Sequence, residues 1–188
     1  PDENKVFLIS GVLDSVFNKT PFDLRDKVVL KFERDKADGM EVVNGSTTVQ
    51  FARSGTDWRI VKPVAARADY AASEGLMTRL SSTQMQKIVA LDAGDLKAYG
   101  LDRPALTATV LSGSSKATLL IGRGDEGGRF AKDAARPEVF TVEETLFTDL
   151  AKDVPEYRRK DMFDARSFTA NRLDLRRGDQ VLALEKSG

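Results

Sequence analysis

A chain without histidine or cysteine must do any chemistry with carboxylates, hydroxyls, amines, guanidiniums and backbone amides. Disulfides, thiol catalysis, Ser-His-Asp triads and nearly all structural zinc sites are excluded. No G-x-S-x-G or S-x-x-K occurs, so a serine nucleophile lacks its usual setting. The 29 acidic residues leave a carboxylate-dependent hydrolase conceivable, but nothing in the sequence marks two of them as a pair. Gly122-Arg123-Gly124-Asp125-Glu126-Gly127 fits the G-x-G-x-x-G phosphate loop. That loop needs a following helix, whose amides hold the pyrophosphate. Here Gly128-Arg129-Phe130-Ala131 reads as a strand, and Asp125 and Glu126 repel phosphate, so a hairpin loop is expected. The tripeptide Arg123-Gly124-Asp125 is too short to carry an adhesion reading. Asp35-x-x-Asp38-Gly39 begins like a calcium loop, but Arg34 and Lys36 occupy positions where ligands belong. No catalytic, cofactor-binding or metal-binding residue is assigned, and no cofactor is expected.

Three aromatic residues remain as candidates for stacking on a sugar or peptide: Trp58, Tyr70 and Tyr99. A lone Trp in a strand reads more readily as core. Basic spots recur at Arg25/Lys27 and Arg158-Arg159-Lys160, where a salt bridge to Asp26 or Asp161 is preferred over phosphate binding. Asn18-Lys19-Thr20 and Asn44-Gly45-Ser46 spell glycosylation sequons, the second inside a turn.

The elements that would position these groups are visible in the hydropathy pattern. Ile9, Val12, Leu13, Val16 and Phe17 form one helical face, capped by Ser10 and ended by Pro21. Val142, Leu146 and Leu150 form another, with Thr141-x-x-Glu144 as a capping box and Pro155 as the stop. Val-Phe before each helix reads as the end of a strand. Residues 40–43 and 47–51 flank Asn44-Gly45, a hairpin turn. Residues 173–175 and 181–184 form a second hairpin around Gly178. Trp58–Val61 is a strand closed by Pro63, and Asp69 caps a helix over residues 70–80 with Ala72, Leu76, Met77 and Leu80 inward. Strands are expected at 86–91, 106–111, 116–121, 129–131 and 138–140, and a short helix at 94–99 ended by Gly100. The fold class is α+β, mostly antiparallel sheet with a few short helices.

Residues 6–55 and 139–188 align without gaps at an offset of 133. Val6-Phe7 meets Val139-Phe140, Leu13 meets Leu146, Gly45 meets Gly178 and Ser54-Gly55 meets Ser187-Gly188. The expected organisation is an internal repeat of period 133, with residues 6–138 as a first unit and 139–188 as the truncated start of a second packed on it. The second meander would lack its third strand and expose an edge suited to self-association.

The chain's 188 residues can bury a real core, and 41% apolar with 31% charged residues is ordinary for a globular protein. Net charge is zero, so no global field favours nucleic acid or an anionic membrane. No apolar run is long enough to span a bilayer, and no signal peptide is visible.

Several stretches together resemble the domain of unknown function 4340 family. They are Trp58-Arg59-Ile60-Val61-Lys62-Pro63, Ala68-Asp69, Asp95-Leu96-x-x-Tyr99-Gly100-Leu101-Asp102-x-Pro104, Leu119-Leu120-Ile121-Gly122, Val139-Phe140 and Arg158-x-Lys160. The resemblance implies an uncharacterised bacterial protein, anchored by an N-terminal membrane helix, with its soluble part outside the cytoplasm. It also implies genes beside ABC-transporter components and a likeness to auxiliary gliding-motility transport proteins. It carries over no site residues. The resulting expectation is an extracytoplasmic, non-enzymatic, membrane-tethered module that scaffolds or senses for a transport complex, with membrane transport proteins as partners. An envelope polysaccharide- or peptide-binding domain using Trp58, Tyr70 or Tyr99 is the alternative, and a carboxylate-dependent hydrolase the second.

Overall fold

The computed structural model describes residues 8–161 and 169–186. Strands form where apolar and polar residues alternate, because successive side chains point to opposite faces. In chain order they are β1 (Gly39–Asn44), β2 (Thr47–Ser54), β3 (Asp57–Lys62), β4 (Ala66–Arg67), β5 (Lys87–Ala90), β6 (Leu106–Ser112), β7 (Ser115–Asp125), β8 (Gly128–Asp133) and β9 (Val139–Val142). They make one nine-stranded sheet in the order β4-β3-β2-β1-β6-β7-β8-β9-β5, and every pairing is antiparallel. The protein is α+β, as its alternation predicts.

Register places one apolar row across the sheet. Met40 stands opposite Phe51 and Val110, Phe51 opposite Ile60, Ala108 opposite Leu119, and Ile121 opposite Ala131. All are buried. Two helices close this face: α2 (Tyr70–Ser82), capped by the Asp69 carboxylate on Ala72 N at 2.8 Å, and α3 (Glu144–Leu150). Leu76, Met77 and Leu80 of α2 and Leu146 and Leu150 of α3 join the same core cluster. Arg79 ties the helices together through Thr145 and Asp149. The short α4 (Val154–Tyr157) follows, and its Tyr157 ring meets Phe51 edge-on at 5.3 Å. On the other face, a smaller cluster of Leu101, Phe130 and Val139 lies under the turn that carries Tyr99.

Several expectations are corrected. Thr141 lies within β9 and accepts from Gln86 N through its carbonyl, so it caps nothing; Glu143 occupies the N-cap of α3, and its carboxylate accepts from the Thr145 hydroxyl at 3.0 Å rather than from a helix N–H. The capping box is instead Asp153 with Glu156, and Pro155 stands in the first turn of α4 rather than stopping a helix. The helix at 94–99 is a single 3-10 turn (Lys97–Tyr99). Asp95 takes Lys97 N at 2.9 Å, and the left-handed Gly100 (φ 67) closes the turn. The segment after Lys27 puts Val29 and Leu30 into the core without joining the sheet. Arg136 clasps it by donating to the carbonyls of Val28 (2.9 Å) and Val29 (2.6 Å).

The two ends of the chain differ from the centre. Helix α1 (Gly11–Phe17) forms and is capped by Ser10, but its expected inward face, with Leu13, Val16 and Phe17, is exposed. The strand expected at Val6-Phe7 lies outside the described residues. The hairpin of β10 (Arg172–Arg177) and β11 (Gln180–Glu185) pairs only with itself among the described residues, and all its strand residues are exposed. The expected division between Glu138 and Val139 cuts through the sheet, because β9 is hydrogen-bonded between β8 and β5. Three pairs of elements begin 133 residues apart: α1 and α3 (11 and 144), β1 and β10 (39 and 172), β2 and β11 (47 and 180).

Candidate functional site

The aromatic candidates separate into three environments. Trp58, on β3, is 2% exposed and belongs to the main core. Its indole Nε1 donates to Glu74 Oε1 at 2.8 Å. Glu74 also receives Arg34 Nη2 at 2.7 Å and has Arg53 Nη2 3.8 Å away, while the Arg53 guanidinium lies over the Trp58 ring. The indole hydrogen bond and then Arg34 hold the Glu74 carboxyl below its ordinary range, against the opposing effect of burial. Trp58 is therefore a packed anchor with no free face for a ligand.

Tyr70 opens α2 and is 57% exposed. It borders a cleft of about 580 Å³ with Arg59, Arg67, Arg159, Asp57 and Asp161. Three backbone links build that cleft. Arg59 of β3 stands opposite Arg67 of β4, Arg159 N donates to the Arg67 carbonyl at 3.0 Å, and Asp69 N donates to the Tyr157 carbonyl at 2.7 Å. The chain after α4 thus runs along the outer edge of β4, and Ala68 bridges Arg158. The cleft is lined by three arginines and three aspartates, and Arg159 Nε meets Asp161 Oδ2 at 3.0 Å.

Tyr99 sits on the opposite face of the sheet, edge-on to Phe130 at 5.2 Å. Its carbonyl explains Gly122: a Cβ there would lie 2.2 Å from Tyr99 O. Gly128 is fixed in the same way by the Val142 carbonyl, 2.1 Å from where a Cβ would stand. Of the glycines that spell a phosphate loop, Gly122 and Gly124 lie in β7 and Gly127 in the two-residue turn, and only Gly122 is held by close backbone packing. No helix follows them, as expected for a hairpin.

The structure therefore brings Trp58 and Tyr70 to one cleft, with Trp58 in its wall, and leaves Tyr99 elsewhere. Sequence reasoning missed Glu74 and, of the cleft's arginines, Arg59 and Arg67; Arg159 was singled out only as a basic spot. Only the alternation along β3, which turns Arg59 outward when Trp58 is inward, hinted at them. The expected salt bridges at the basic spots hold in part: Asp161 pairs with Arg159, but Asp26 pairs with Lys31, and Lys27 turns to Asp23. Asp38 serves the fold, accepting Gly113 N at 2.9 Å.

For acid–base chemistry the displaced carboxylates point the wrong way. Asp23 is lowered by its hydrogen bonds from Thr20, Asp26 by Lys31, and Glu74 by Trp58. A general acid working near neutrality needs the opposite shift. Among the described residues, no group of three acidic side chains could hold a metal ion. No described helix is long and apolar enough to cross a membrane.

No curated protein and no solved structure matches the chain. The model of one family matches it in two segments, residues 1–59 and 58–188. The two segments together span the chain, which belongs to the family described as domain of unknown function (DUF4340).

Proposed function

We propose that this chain is a non-catalytic module that works by contact, lying outside the cytoplasm in a membrane-tethered protein and serving a transport complex as scaffold or sensor. One observation carries the reading: apolar faces on α1 and on the β10–β11 hairpin are open to solvent while the nine-stranded sheet is well packed. Open apolar faces of this kind mark interaction surfaces. The transport context and the location rest on what family resemblance implies. Crosslinking of the full-length protein in cells tests it, and recovery of membrane transport proteins is the expected result.

We further propose that the chain is built on a unit repeating every 133 residues. Support comes from the equal spacing of three pairs of elements and from the matching turns at Gly45 and Gly178, both at φ 57. The folded unit is then out of phase with the sequence echo. It runs from about residue 28 to residue 161, with the end of one unit before it and the start of another after it.

A second reading is favoured by the cleft at Tyr70. Its exposed ring and mixed charges suit an envelope polysaccharide or an extended peptide. Titration with cell-wall glycans and peptides, followed by NMR at the backbone of residues 57–71, tests it. Tyr70→Ala should abolish any shifts seen.

A further inference from the structure

The β10–β11 hairpin has an internal reference. Its register matches that of β1–β2 pair for pair: Met40 faces Phe51 and Val42 faces Val49, while Leu173 faces Leu184 and Leu175 faces Leu182. In the first hairpin these four residues are 0–3% exposed; in the second they are 50–55% exposed. The opposite face of β10–β11 is mixed: Arg172 pairs there with Asp174 and Glu185, beside Arg176, Val181 and Ala183. Sequence pattern, turn and register are alike in the two hairpins, and only the covering differs.

The first hairpin shows what the covering consists of. β6 lies along the free edge of β1, setting Val110 against Met40 and Ala108 against Val42. β3 lies along β2 and sets Ile60 against Phe51. Leu76, Met77 and Leu80 of α2 share the core with them, and Tyr157 caps Phe51. The other end of the chain mirrors this. Leu13 and Phe17 of α1 are exposed, whereas Leu146 and Leu150, their counterparts at the offset of 133, are buried.

We propose that β10–β11 is the opening hairpin of a second sheet, and that its four-residue apolar face docks a segment of the same polypeptide that folds as residues 56–161 do. This rests on the repeat reading above. A second copy of the chain is the poorer occupant. Its β3 and β6 are already held on both sides, β3 by β2 and β4 and β6 by β1 and β7, so it has no strand of the required kind to lend.

The numbering specifies the experiment. Gly188 corresponds to Gly55, so a second copy of residues 56–161 appended directly after Gly188 supplies the missing elements in register. Hydrogen exchange is then followed at the amides of residues 172–185 in the 188-residue chain and in the extended chain. The expected result is slowing by about 100-fold or more in the extended chain, as for amides that open only when a folded unit opens. Leu175→Asp should cancel the slowing while leaving the melting temperature of the 188-residue chain unchanged. If the appended segment folds but the hairpin still exchanges freely, the docking inference is overturned and the repeat stands. If the appended segment stays unfolded, both are overturned. A concentration-dependent dimer of the 188-residue chain that Leu175→Asp abolishes would overturn the choice of occupant in favour of a second copy.

Discussion

Trp58 Nε1 donates to Glu74 Oε1 at 2.8 Å, joining the second turn of α2 to the strand β3 beneath it. The bond converts the one Trp of the chain from a possible ligand platform into a structural tie. Glu74 is also the meeting point of Arg34 and Arg53, so one carboxylate links the 3-10 turn before β1, the strand β2, the strand β3 and the helix α2. Glu74→Ala leaves the buried indole N–H and two guanidiniums short of a partner. It should cost about 1–3 kcal/mol of stability. Glu74→Gln keeps an acceptor and should cost less. Urea unfolding followed by Trp58 fluorescence reports both directly.

The same residue gives a pH dependence. Its pKa is lowered in the folded state, so it contributes stability above its ordinary value of 4.5 and loses that contribution as pH falls through the lower folded value. Asp23 and Asp26 act in the same direction from exposed positions. Stability should therefore fall on acidification from about pH 5 towards 3. The fall should be shallower in Glu74→Gln, which has no proton to take up at that position. Equal slopes in the two proteins would remove Glu74 as a source.

Glycines 122 and 128 are held by neighbouring carbonyls rather than by a ligand. Gly122→Ala and Gly128→Ala should each lower stability by about 1–3 kcal/mol or more, since backbone must move to admit the methyl group. Gly127→Ala, with nothing within 4 Å of the added carbon, is the control and should stay within about 0.5 kcal/mol. Thermal melts of the three variants distinguish this from a phosphate loop, for which Gly127 would matter as much as Gly122.

The paired helices offer a further comparison. Leu146→Ala opens a cavity in the core between α3 and the sheet and should cost about 2–5 kcal/mol. Leu13→Ala, on the exposed face of α1, should change stability by no more than about 0.5 kcal/mol. Chemical denaturation measures both. A large cost at Leu13 would mean that α1 is already covered in solution.

What was legible in the sequence was local. Asn44-Gly45 and the alternation on either side of it specify β1 and β2, because turn chemistry and side-chain period act over a few residues. Asp69 announces α2 and Gly100 announces a left-handed turn for the same reason. What was not legible depends on partners distant in the chain. Thr141 looks like a cap until β5 and β8 flank it as a strand. Val29 and Leu30 are buried beside a backbone clasp, at the carbonyls of Val28 and Val29, that Arg136 supplies from more than 100 residues later. The role of Glu74 needs Trp58, 16 residues earlier, and Arg34, 40 residues earlier. The cleft at Tyr70 exists because the chain after Tyr157 returns to β4, which no local pattern records.

Site-specific photocrosslinking of the full-length protein in living cells shows whether the module works by contact within a transport complex. A photoreactive residue is placed at Leu13, at Leu175 or at Tyr70, and Lys116, exposed near the start of β7, serves as background. A membrane transport protein should be recovered from one or more of the first three positions and be absent from Lys116. Recovery of no transport protein from any of them, or equal recovery from Lys116, would contradict it.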